Sequence, residues 1–112
     1  MKLPNDERAV ADIGKFRDYC LNAEHPVGKH KARVFKSSLG FTKDDAEKIR
    51  DIVMEAAKTE DAIEGDKLPL YGQTYTLDFI TKGLHGDVKV RTPWIVEIDT
   101  DFPRLTTCYV IE

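Results

Sequence analysis

Glu24–Phe41 reads EHPVGKHKARVFKSSLGF and gathers His25, Lys29, His30, Lys31, Arg33 and Lys36 within a few turns of chain. Imidazole titrates near neutrality and can take or give a proton. Lysine and arginine bind phosphate, arginine in two-pronged fashion. Three later positions add hydroxyls, a cation and a large ring: Thr92 and Trp94 in VRTPWIV, and Arg104 with Thr106 in FPRLTT. Histidine, cations and hydroxyls suffice to cleave RNA by attack of its own 2′-OH. That reaction needs a base, an acid and fixed positive charge for the developing phosphorane. His25 is the expected base or acid. Lys29, Lys31 and Arg104 are expected to hold the scissile phosphate, with Thr92 or Thr106 orienting it. His30 and Arg33 extend the phosphate-binding set. Trp94 is either a core anchor or a stacking platform, and Thr92 either a core hydroxyl or one that points into a cleft. Lys36, one turn further on, is expected to matter far less.

Other chemistries lack their residues. His25 and His30 stand five apart and His85 is alone in a turn, so no Cys/His spacing or HExxH pattern suggests a metal. There is no P-loop, dinucleotide fingerprint or GxSxG, and no cofactor is expected.

The elements that must place these residues follow from periodicity. Val10, Ile13, Phe16 and Cys20 recur at helical steps, which predicts a first helix over about Asp6–Leu21. Pro26 disfavours helical geometry at His25. A second helix should run from Gly28 or Lys29 to Gly40, where glycine is a natural stop. A third should start at Thr42, whose TKDD resembles a capping box closed by Asp45, and end near Lys58. TEDAIEGDKLPLYG reads as a polar, acidic connector. The period then switches to two in QTYTLDFITKG, VKVRTPWIVEID and RLTTCYVIE, three strands at short spacing. Pro93 should mark an edge or a bulge. The expected fold is α+β: about three N-terminal helices packed on one face of a C-terminal antiparallel meander of three or four strands. One domain, 1–112, is expected, with a helical half over 1–60 and a strand half over 70–112.

Composition sets limits. The 112 residues are 41% hydrophobic and 33% charged, with net charge -3 and pI ≈ 5.6. Bulk polycation binding is excluded, whereas a local basic patch is not. Cys20 and Cys108 lie in apolar patterns and read as buried free thiols. MKLPNDERAV has no apolar signal region and no run approaches a membrane span, so a cytoplasmic protein is expected.

HPVGKHKARVFKSSLGF, YGQTYTLDF, VRTPWIV and PRLTTCYV, in that order, resemble an uncharacterised family of small bacterial proteins and polymorphic-toxin C-terminal domains. The arrangement is similar to metal-independent ribonuclease toxins of the barnase/EndoU/colicin/RelE-like group. The resemblance implies a toxin acting on tRNA or other RNA and checked by a cognate antitoxin or immunity protein. It points to His25, Lys29, Lys31, Thr92, Arg104 and Thr106. The rival expectation is a non-catalytic binding module, antitoxin-like, docking through the basic segment 25–36. A third is small-anion binding at the second helix N-terminus, beside Gly28 and Lys29. Convergence of His25, Lys31, Thr92 and Arg104 in one concave site would separate catalysis from docking.

Overall fold

Tyr75, Leu77 and Phe79 alternate with polar neighbours, as do Val90, Thr92 and Trp94, and all six side chains are buried. Such alternation makes a sheet with one face turned to a core. A computed structural model describes residues 1–112. Its strands are β1 (Ala62–Leu68), β2 (Gly72–Gly83), β3 (Gly86–Glu97), β4 (Arg104–Leu105) and β5 (Tyr109–Val110). Every pairing is antiparallel, in the order β1-β2-β3-β4, and β5 also pairs with β3. The helices precede the sheet and cover its inner face, so the expected α+β architecture is present. They are α1 (Ile13–Lys15), continued by a π-helical segment Phe16–Cys20, then α2 (Lys29–Leu39) and α3 (Ala46–Thr59). A cluster of 24 buried residues draws side chains from the π segment, α2, α3 and all five strands.

Local signals explain the well-formed helices. Ala32, Phe35 and Leu39 are buried on α2, and Gly40 ends it at φ 73, a left-handed conformation that costs glycine little. The Asp45 carboxylate accepts the Thr42 N–H at 2.9 Å before α3, which buries Ile49, Val53, Ala56 and Ala57.

Two expectations change, and the bulge expected at Pro93 is present. The first helix is broken. Only Asp6–Arg8 (a 3-10 turn) and Ile13–Cys20 are helical, because Val10 is pulled into strand pairing. Its N–H donates to Pro103 O at 2.9 Å and its carbonyl accepts Leu105 N–H at 2.8 Å. The connector after α3 contains β1, a strand with its first residue buried and the rest exposed. The strand half therefore begins at 62, not 70. Pro93 lies inside the sheet, between β2 and the β4/β5 flank. Its carbonyl accepts Thr106 N–H at 2.8 Å, so its ring nitrogen faces the same flank. There the ladder jumps from Trp94↔Leu105 to Arg91↔Tyr109. Thr106, Thr107 and Cys108 oppose only Thr92 and Pro93, a bulge that spares proline a missing partner.

Thr92 is wholly buried. Its hydroxyl donates to Leu77 O at 2.6 Å and accepts from the Trp94 indole N–H at 2.9 Å. Thr92→Val keeps the volume but strands the Trp94 indole N–H and removes one bond to Leu77 O. It should cost about 1–3 kcal/mol. Urea unfolding followed through Trp94, the single tryptophan, should show a lower midpoint with an unchanged slope. A loss indistinguishable from that of exposed Thr106→Val would contradict the buried bond.

Candidate functional site

His25 is held by a tight bend, and its ring turns back on the chain that follows. Nδ1 accepts the N–H groups of Val27 at 3.0 Å and Gly28 at 2.9 Å, and the His25 carbonyl accepts Lys29 N–H at 3.0 Å. The imidazole thus caps the start of α2, a task usually left to Ser, Thr, Asp or Asn. With Nδ1 an acceptor, the neutral ring carries its proton on Nε2. It presents a donor there, which does not suit the base role. The N–H groups of Val27, Gly28 and Lys29 are thus all taken by His25, and a Cβ on Gly28 would lie 2.2 Å from Tyr19 O. Glycine here lets the head of α2 press against the π-helical segment.

That contact builds a corner. The His25 and Tyr19 rings meet edge to face with centroids 4.8 Å apart. Lys31 Nζ donates to Tyr19 Oη at 2.7 Å and lies 4.6 Å from the Tyr19 ring centroid and 5.7 Å from that of Tyr109. Cation and ring faces attract, so the ammonium is fixed without a carboxylate. His30, Lys31, Val34, Tyr109, Val110 and Glu112 line a cleft of about 360 Å³ there. On the other side of α2, Lys29, His30, Arg33 and Lys36 border a groove of about 480 Å³. None of the cations on α2 takes part in an ion pair.

The remaining candidates lie elsewhere. Thr92 and Trp94 are core residues, with their polar atoms bonded to each other and to Leu77. Arg104 faces Glu97 at 3.1 Å and Asp12 at 3.5 Å, and packs near Phe102. It opposes Ile95 on β3, while Tyr109 opposes Arg91 four residues away. At strand rise that is about 13 Å. Thr106 is exposed beside the bulge. So the structure joins His25 and Lys31 at Tyr19, sets His30 on the same cleft as Lys31, and leaves Thr92, Trp94, Arg104 and Thr106 apart from them.

Three residues at the corner escaped the sequence reading. Tyr19 sits within an apolar stripe and Tyr109 within a strand pattern, where aromatics ordinarily read as core. Thr107 rather than Thr106 turns inward, with its hydroxyl 3.6 Å from Cys20 Sγ. Alternation from buried Leu105 already turns Thr107 inward, and the bulge shifts the pattern by one after it, so that Cys108 and Val110 are buried. Tyr109 also lies opposite Arg91, which Asp78 grips at 2.9 and 3.0 Å; Asp78 first and Tyr109 after it push that guanidinium's pKa further up. No group of three or more His, Cys, Asp or Glu side chains converges as a metal site. No helix is long and apolar enough to cross a membrane.

Cys20 and Cys108 are free and buried, and burial pushes both thiols up, Cys108 furthest. Folded protein at pH 8 should therefore leave both unreacted with a disulfide reagent such as DTNB, while denatured protein reacts fully. Fast titration of a thiol in folded protein would contradict this burial. His25→Ala removes the cap and should destabilise the fold by about 1 kcal/mol, with His25→Asn recovering most of it. Thermal unfolding measures both, and an unshifted midpoint for His25→Ala would show that the cap carries no weight.

No curated protein matches this chain, and no solved structure does. Residues 2–112 match the family model described as a domain of unknown function, DUF6883, and the chain belongs to that family.

Proposed function

We propose that this domain is a metal-independent endoribonuclease whose reaction centre is the Lys31 corner. One observation carries the reading: Lys31 is fixed by Tyr19 and faces Tyr109, and forms no ion pair although Glu112 lines the same cleft. A positive charge held in advance is what a phosphorane needs. His30 borders the same cleft and has no hydrogen-bond partner within the protein, which suits a base. Tyr19 Oη accepts from Lys31, so its own O–H is free to donate. In the proposed step His30 takes the 2′ proton as the 2′-oxygen bonds to phosphorus. The bond to the 5′-oxygen breaks and that oxygen receives the Tyr19 proton, which leaves a 2′,3′-cyclic phosphate and a 5′-hydroxyl. His25 positions Tyr19 through ring contact. Such an enzyme would act as a toxin in the cytoplasm, on tRNA or another RNA, under a cognate antitoxin or immunity protein. Two buried free thiols suit that reducing compartment.

A non-catalytic binding module is the second reading. It is favoured by the separation of Arg104 and Thr92 from the basic helix. The two diverge in one assay. Purified protein in EDTA should cut RNA to 2′,3′-cyclic ends. Lys31→Ala should slow cutting by about 10²–10³-fold and His30→Ala by about 10²–10⁴-fold, while Arg104→Ala stays near wild type. Loss of cutting on chelation, or equal damage from Arg104→Ala, would refute the proposed centre. Binding of RNA without any cutting would establish the module instead.

A further inference from the structure

The groove on the far side of α2 has its own chemistry. Lys29, Arg33 and Lys36 stand on one helical face, about 10 Å from first to last at helical rise. Leu21, Ala32 and Phe41 form an apolar floor, and Ala23 and Thr42 the opposite wall. Arg33 is unlike the chain's other arginines. Arg8, Arg17, Arg91 and Arg104 face carboxylates, and Arg50 donates to Ala11 O at 2.6 Å. Arg33 has neither kind of partner. Its planar fork is free to take a phosphate in two prongs. His30 borders both this groove and the Lys31 cleft, so the two are continuous across α2. A row of separate charges suits a polymer rather than one small anion. The groove's size suits one strand's backbone rather than a paired duplex.

We infer that this groove is a second binding site, a track for the sugar–phosphate backbone of single-stranded RNA that runs on from the Lys31 corner. The inference rests on the ribonuclease reading for its direction and adds a binding subsite to it. Lys36, set outside the site by spacing alone, is part of the track. The track reads charge and backbone, so binding there tolerates any base sequence.

The test uses full-length protein and a single-stranded 2′-O-methyl oligoribonucleotide, which cannot supply the attacking hydroxyl. Affinity is measured by fluorescence anisotropy across a salt series. Each phosphate contact on a single strand contributes about −0.7 to the slope of log K against log salt. The triple variant Lys29→Gln, Arg33→Gln, Lys36→Gln alters only exposed side chains. It should make the slope less negative by about 2, while Lys82→Gln on β2 leaves it unchanged. An unchanged slope in the triple variant would overturn the track. Equal affinity for polyglutamate, lost in the same variant, would also overturn it and make the groove a protein-docking face. The same preparations, given ordinary RNA, separate the two proposals. A slope lost in the triple variant with no cutting by wild type upholds the track and refutes the nuclease. Cutting by wild type with an unchanged slope in the triple variant does the reverse.

Discussion

The indole N–H of Trp94 must find an acceptor inside the core, and Thr92 is the residue that provides it. A buried donor left alone costs about 1–3 kcal/mol, a large part of a small domain's stability. Thr92 in turn donates across to Leu77 O, so the demand of one ring is handed from β3 to β2. A slip of one residue would send Thr92 and Trp94 to the outer face. With the register held, Pro93 must meet the β4/β5 flank, and the chain there bulges. The inward residues of this flank then meet the helical layer. Thr107 turns to Cys20, and Tyr109 turns to Lys31 and Arg91.

An acidic chain can still present a basic face because none of its carboxylates pairs with the cations of α2. Asp78 holds Arg91, Asp12 and Glu97 hold Arg104, and Asp101 meets Arg8. The last contact keeps the Asp101 carboxyl below its ordinary range, through its hydrogen bond to Arg8. No carboxylate is paired with the cations of α2. The net charge of -3 therefore describes the sum and not the field over that helix. The concentration of imidazole and positive charge in EHPVGKHKARVFKSSLGF has two structural sources. His25 serves the bend and the cap, and the remaining residues form two adjoining clefts.

Periodicity revealed α2, α3, β2 and β3, since each buries one clean stripe and ends on a recognisable stop. It failed where a tertiary contact outweighed local pattern. Val10 fits a helical stripe, yet its backbone pairs with Pro103 and Leu105. Ile63 and its acidic neighbours carry almost no burial signal, because β1 is an edge strand paired on one side. The basic cluster was legible as a cluster. Its companions were not. Tyr19 and Tyr109 gain their meaning from Lys31 lying against them, and alternation cannot foresee a bulge that buries Cys108 directly after Thr107. Arg104 looked available because the chain that brings Asp12 beside it was read as helix.

RNA bound as proposed would meet this protein at the Lys31 corner. Nuclear magnetic resonance of 15N-labelled protein, titrated with a short 2′-O-methyl oligoribonucleotide, tests it most directly. The largest shifts should fall at the His30 imidazole, the Lys31 ammonium and the backbones of Tyr19 and Tyr109, with Arg104 and Trp94 unmoved. Shifts centred on Arg104 and the outer sheet, with the Lys31 corner silent, would contradict it.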